Sequence, residues 1–140
     1  MIESGFYQAL AGDPTITGIV GSNVFLGWRK AMSVPSVVIS ATSKGSIDSF
    51  DGRNQLEIGR FQFDAFANDY FTTLRLAEAI KNKFVPLSTQ VNNYPYLLPD
   101  GSGIASATVH NELDMPEEVG SGGGYLYRRM VDIEFAFVSS

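Results

Sequence analysis

Between residues 60 and 84 the spacing of apolar side chains changes period, and that change constrains the fold more than any other feature of the chain. Phe61, Phe63, Ala65 and Ala67 alternate with Arg60, Gln62, Asp64 and Asn68. Successive side chains of a strand face opposite sides of a sheet, so this segment reads as a strand with one buried face. Phe66 breaks the polar face and needs cover of its own. Beyond it, Leu74, Ala77, Ile80 and Phe84 recur at helical spacing, with Arg75, Glu78, Lys81 and Lys83 mostly off that stripe. A strand therefore feeds almost directly into an amphipathic helix through Asn68-Asp69-Tyr70. Asp69 is placed to cap that helix, because its carboxylate can accept the free amide hydrogens of the first turn. The unit reads as scaffold and carries no catalytic chemistry, which directs the functional question to surfaces and partners.

The rest of the chain supplies further strands and one more helix. Residues 2–11 read as a short helix with Phe6, Ala9 and Leu10 on one side, ended by Gly12-Asp13-Pro14. Residues 16–20 read as a brief apolar segment, turn or helix, closed by Gly21, and residues 24–28 as a short strand candidate. Residues 36–42, rich in Val and Ile, form a strand entered at Pro35. A strand over 104–113 places Ala105, Ala107, Val109 and Leu113 on one face. The strand over 125–138 sets Tyr125, Tyr127, Val131, Ile133, Phe135 and Phe137 against Arg128, Asp132 and Glu134, with Arg129 interrupting its apolar side. These two strands are consecutive and joined by a turn-rich segment, which predicts an antiparallel hairpin with a long tip. The order predicts one α+β domain over residues 1–140: a mainly antiparallel sheet of about four to five strands, two helices packed on one face, and long loop arms at 43–57, 86–103 and 114–124. Connections this long, without structure of their own, are uncommon in small domains and are usually functional or disordered.

Composition removes several function classes. A chain of 140 residues with 44% hydrophobic content can bury a core without staples. It has no cysteine, which excludes disulfides, thiol catalysis and cysteine-ligated zinc, and leaves the redox compartment unspecified. No apolar run approaches the length that crosses a bilayer. The start, Met1-Ile2-Glu3-Ser4, lacks the basic region of a secretory signal. A net charge of −5 argues against a protein that wraps nucleic acid by neutralising phosphates, and suits a surface that nucleic acid must pass without adhering.

Motifs that could carry chemistry do not hold up. His110, the sole histidine, has Thr108 and Glu112 on its strand face, and no Gly-x-Ser-x-Gly elbow accompanies it. A metal there would have only Glu112 and Asp114 as further local ligands. Asp48-Ser49-Phe50-Asp51-Gly52 fails as a calcium loop, because Ile47 and Ile58 would fall at its first and last ligand positions. Gly120-Ser121-Gly122-Gly123-Gly124 lacks the following Lys-Ser/Thr of a phosphate cradle, and a strand follows it, not a helix. Asp114, Glu117 and Glu118 read as a solvated acidic arm. Arg128 and Arg129 have two readings, as sheet-face charges paired with Asp132, Glu134 or Glu112, or as contacts to another subunit. Trp28 is open in the same way between core and contact, and the Tyr94–Leu98 stretch between docking and folding back on its own domain.

The segments match a pattern when taken in order. The opening helix runs into Gly12-Asp13-Pro14-Thr15-Ile16-Thr17-Gly18-Ile19-Val20-Gly21-Ser22-Asn23-Val24-Phe25. Pro35-Ser36-Val37-Val38-Ile39 follows, then Arg60-Phe61-Gln62-Phe63-Asp64-Ala65-Phe66-Ala67 with Leu74-Arg75-Leu76-Ala77-Glu78-Ala79-Ile80, and finally Tyr127-Arg128-Arg129-Met130-Val131-Asp132-Ile133-Glu134-Phe135. In this order the chain resembles the tail-terminator, or tail-completion, proteins of long-tailed bacteriophages, the head–tail joining subunits at the top of the tail tube. The connection over 86–103 and the glycine-rich tip look longer than is typical of that family.

The resemblance implies a structural virion protein of the tail–neck region, assembled in the host cytoplasm, without enzymatic activity or cofactor. It implies a hexameric ring that caps the tail tube, stops its polymerisation and meets the head connector, with DNA passing through the lumen as cargo. Its partners would be further copies of itself, the tail tube protein and the connector or neck protein, with no membrane. The residues it suggests for contacts are Trp28, Asp48, Asp51, Arg53, Tyr94, Tyr96, Leu97, Glu117, Glu118, Arg128 and Arg129. Two other readings stand beside it: a tail tube subunit or another neck ring, and a small ligand-binding or enzymatic domain using Asp64, Glu112 and His110.

Overall fold

A computed structural model describes residues 2–27, 34–46, 56–85, 96–115, 117–118 and 125–138. The first helix, α1 (Ile2–Ala11), buries Ile2, Phe6, Ala9 and Leu10 on one stripe. Asp13 and Pro14 do more than end it. The Asp13 carboxylate accepts from the amides of Thr15 and Ile16, and Pro14 occupies the first turn of a second helix, α2 (Pro14–Val20). Gly21 closes α2 at a φ of 62°, a backbone conformation that favours glycine. The apolar segment thus takes its helical reading, and among the described residues three helices cover the sheet where two were expected.

Among the described residues there are seven strands: β1 (Val24–Leu26), β2 (Ser36–Ser46), β3 (Glu57–Ala67), β4 (Tyr96–Leu97), β5 (Gly103–Asp114), β6 (Glu117–Glu118) and β7 (Tyr125–Val138). The sheet order is β1-β2-β3-β7-β5-β4, with β6 paired to β7 off this path. Only β1 and β2 run parallel; every other pairing is antiparallel. The α+β class, the antiparallel sheet and the β5–β7 hairpin are as the sequence predicts. The strand count exceeds expectation because β4 and β6 are two-residue pairings, too short to leave a periodic signal. The arm expected over 43–57 is shorter, since β2 continues to Ser46 and β3 begins at Glu57.

The third helix, α3 (Tyr70–Phe84), opens as predicted on Asp69, whose carboxylate accepts from the Thr72 amide at 3.1 Å. Its buried stripe is Thr73, Leu76, Ala77, Ile80 and Phe84, so Leu76 takes the place expected for Leu74, which is only half-buried. Thr73 reaches the core side because its hydroxyl donates to the Tyr70 carbonyl and leaves no unsatisfied group.

All three helices lie on one face. The core centres on Phe6, whose ring sits 5.0 Å from Phe61, 5.6 Å from Phe63, 5.3 Å from Phe84 and 4.7 Å from Phe135, centroid to centroid. Val37, Ile39, Ala65, Val131, Ile133 and Phe137 extend this layer across the sheet. β5 departs from its expected face. Register shifts at Ala105 and His110 each insert an extra residue, so Ile104, Ala107 and Val109 meet the core while Ala105 is exposed and Leu113 is largely so. The opposite, helix-free face carries the cover that Phe66 requires: Val38 and Leu126, with Phe25 and Val34 at the margin.

Candidate assembly surfaces

The helix-free face is crossed by a charge grid, built because β3 and β7 run side by side. Their register sets Arg60 opposite Glu134, Gln62 opposite Asp132, Asp64 opposite Met130 and Phe66 opposite Arg128. From these positions Arg60 reaches diagonally to Asp132, and Arg128 to Asp64. Arg128 binds both carboxylate oxygens of Asp64 at 3.2 Å, Gln62 donates to the same carboxylate at 2.8 Å, and the guanidinium lies 5.5 Å above the Phe66 ring. Asp64 and Asp132 are only 4% and 3% exposed, although no helix among the described residues covers this face. Arg60 Nε, Asp132 Oδ1 and Ser36 Oγ are buried without a hydrogen-bond partner among the described residues.

A second network occupies the helix face at the β5–β7 end. Glu112 takes Lys81 of α3 at 2.8 Å and Arg129 at 2.7 Å, Arg129 also donates to Asp114 at 2.9 Å, and the Tyr70 hydroxyl donates to Asp114 at 2.8 Å. Burial pushes the Glu112 carboxyl up, but hydrogen bonds from Lys81 and Arg129 outweigh it and hold the group below its ordinary range. The Arg129 hydrogen bond dominates at Asp114 and lowers it as well. Burial disfavours the Lys81 charge, yet Glu112 and Glu78 raise its pKa overall. Beside this network a cavity of about 150 Å³ is lined by Tyr70, Asp114, Tyr127 and Arg128. Its acid, Asp114, is engaged by Arg129 and Tyr70.

Within the chain Arg129 takes Glu112 as the first of the two readings expects, while Arg128 takes Asp64 and not Asp132, Glu134 or Glu112. Asp64, Glu112 and His110, the trio of the enzymatic reading, are not brought together. Asp64 lies on the helix-free face, Glu112 shares the helix-side row of Phe63 and Val131, and His110 is exposed at a bulge. Among the described residues no group of three or more acidic or histidine side chains is arranged to hold a metal ion. No helix is long and apolar enough to cross a membrane.

Of the other expected contact residues, Leu97 is 70% exposed on β4, Tyr96 precedes it there beside Ile104, and Glu117 and Glu118 form β6 against Leu126 and Tyr125. Trp28, Asp48, Asp51, Arg53 and Tyr94 lie outside the described residues. Sequence reasoning passed over Phe71, 71% exposed in the first turn of α3. Its signal was available, as a large aromatic off the helical stripe.

It also passed over the sheet edges. β1 flanks β2 only beside Val37, Val38 and Ile39, and β4 flanks β5 only beside Gly103 and Ile104. Among the described residues, residues 40–46 of β2 and 105–114 of β5 have no strand on their outer sides. Register carries rows straight across the sheet. Val37, Ala65, Arg129 and Asp114 share one, and Ser43, Arg60, Glu134 and Thr108 another.

No protein-family model matches the sequence, and no curated protein matches it. The fold does recur among solved structures. One matching chain comes from a structure titled "Virion of native gene transfer agent (GTA) particle", with a TM-score of 0.61 and 13% sequence identity, covering 97% of this chain and 94% of that one. At that identity the likeness is one of fold.

Proposed function

We propose that this chain is a structural subunit of a phage-like virion, which closes the end of a tail tube as a ring, ends tube growth and presents a surface to the head connector while DNA passes through. The observation that carries this reading is the end-to-end fold likeness to a chain of a gene transfer agent virion. The charge distribution agrees with it: the buried acids and arginines are engaged in ion pairs that fix shape, as a scaffold requires. A tube end is an open heterologous interface, and a subunit that matches it on one side only stops its extension. The acidic balance of the chain suits a conduit for DNA, because like charge keeps phosphates from adhering.

The test is assembly. Light scattering and electron microscopy on the purified protein, alone and with tail tubes, should show rings and tubes blocked at one end, with no substrate consumed. Long tubes formed by the protein alone would assign it to the tube wall instead. Monomers at high concentration, with and without tubes, would remove the ring.

A further inference from the structure

We infer that the cavity beside the first turn of α3 is a socket for one uncharged aromatic side chain, presented by a partner protein on a segment with lysine or arginine next to that ring. The inference rests on the reading of the chain as an assembly subunit, and adds to it a contact with a protein of different sequence.

The socket is built where strands end. Ala67 pairs with Tyr127 in the last row of β3 and β7, and Asp114 ends β5 opposite Arg129. α3 starts three residues beyond Ala67, which brings Tyr70 to Tyr127 with ring centroids 5.8 Å apart and planes at 62°. Tyr70, Asp114, Tyr127 and Arg128 line the resulting space of about 150 Å³. An apolar cavity of ~150 Å³ accommodates one benzene ring.

Charge argues against an ionic occupant. Both oxygens of Asp114 already accept, Oδ1 from Arg129 at 2.9 Å and Oδ2 from the Tyr70 hydroxyl at 2.8 Å. The Arg128 guanidinium is bound to Asp64 and lies over Phe66. An incoming cation would meet Arg128 and Arg129, and an incoming anion would meet Asp114. Either would give up water for a counter-charge that is already engaged. A neutral ring has no such cost, and against two tyrosine rings it gains edge-to-face contacts beyond its buried area.

The surroundings are those of a protein contact. Phe71, its centroid 6.2 Å from that of Tyr70, is 71% exposed at the lip. An exposed aromatic beside a one-ring socket, inside a polar rim, is the anatomy of an interface hot spot. The rim is mostly acidic. Asp69 is exposed two residues before Phe71, and β6, the Glu117–Glu118 pair, runs beside Leu126 and Tyr125, just before Tyr127. Arg75 is the one base in the first two turns of α3. A basic flank on the partner answers this rim. A second copy does not, because it would bring its own Asp69 with its Phe71 and a net charge of −5.

The test uses the whole chain and small blocked peptides. Backbone amide NMR shifts are followed as N-acetyl-phenylalaninamide is added, then the matching arginine and glutamate amides. The phenylalanine probe should give saturable shifts confined to residues 69–72, 114–115 and 126–129, with a dissociation constant on the order of 1 mM, and the other two should give none there. In blocked dipeptides, lysine after phenylalanine should bind at least ~3-fold tighter than glutamate after phenylalanine. Asp69→Asn, which keeps the α3 cap, should remove that preference. Phe71→Ala should weaken the phenylalanine–lysine probe by ~2–10-fold and leave the unfolding midpoint in place. Socket shifts from the arginine or glutamate amide, no shifts from the phenylalanine amide, or undiminished binding by Phe71→Ala would each overturn the inference. So would self-association that Phe71→Ala abolishes, since it would seat a second copy there. Rings are read separately by microscopy, and Phe71→Ala should form them as the unmodified protein does. Rings without probe binding would remove the socket and leave the ring; probe binding at the socket without rings would do the reverse.

Discussion

Arg128 and Arg129 are adjacent in β7 yet tie down opposite faces of the sheet: Arg128 grips Asp64 on the helix-free side, and Arg129 grips Glu112 and Asp114 beneath α3. One dipeptide therefore fastens β7 to β3 on one face and to β5 on the other, with α3 brought in through Lys81.

The Asp64–Arg128 pair is expected to couple strongly, because the acid is almost fully buried and accepts three hydrogen bonds. Asp64→Ala should cost about 2–3 kcal/mol, since it strands Gln62 and a guanidinium held over Phe66. Urea unfolding of the two single variants and the double would show it. The double variant should be clearly less destabilised than the sum of the singles, and additivity would mean that the pair contributes nothing.

The Glu112 network makes stability depend on acid. Its folded pKa lies below the unfolded value near 4.5, so its contribution is present above that pH and is lost as pH falls through the folded value. Glu112→Gln should cost about 1–2 kcal/mol at pH 7 and flatten the loss of stability below about pH 4.5. Lys81 works in the opposite direction. Its raised pKa gives stability that is present below 10.5 and lost as pH rises through the folded value, so Lys81→Met should flatten the alkaline limb. Thermal melts across the pH range check both signs.

Phe6 is the side chain whose removal should hurt most. It touches four other phenylalanine rings from α3, β3 and β7, and it is fully buried. Phe6→Ala should cost about 3–5 kcal/mol, whereas Phe71→Ala, on the exposed first turn of α3, should stay within about 0.5 kcal/mol in the isolated chain. Chemical denaturation separates the two cases.

Asp13 joins two roles, capping α2 and meeting Lys83 of α3 at 3.2 Å. Asp13→Asn keeps the cap and loses the charge, while Asp13→Ala loses both. The alanine variant should fall about 1 kcal/mol below the asparagine variant in unfolding free energy, the usual size of a lost cap.

Much of this architecture was legible because period is a strong signal where one face is buried. β3, α3 and the Asp69 cap follow directly from the Phe61–Phe63 alternation and the helical spacing that succeeds it. β5 was misread for a definite reason. Its bulges at Ala105 and His110 reverse the side-chain parity, and no residue there announces an inserted position. Asp13-Pro14 was read only as a stop, because the same residues that end one helix also begin the next. The Arg128 partner lay beyond the sequence altogether, since Asp64 becomes its neighbour only when β3 and β7 are set in register. The open edges of β2 and β5 depend on strand order, which composition does not encode.

The placement of β7 carries a consequence for how the molecule is made. It sits at the middle of the sheet, between β3 and β5, and follows both in chain order. During synthesis the flanks therefore leave the ribosome before the strand that joins them, and a nascent chain lacking residues 125–138 holds two half-sheets with nothing to unite them. A chain ending upstream of that point lacks the strand on which both flanks are registered, and is expected not to reach the folded sheet.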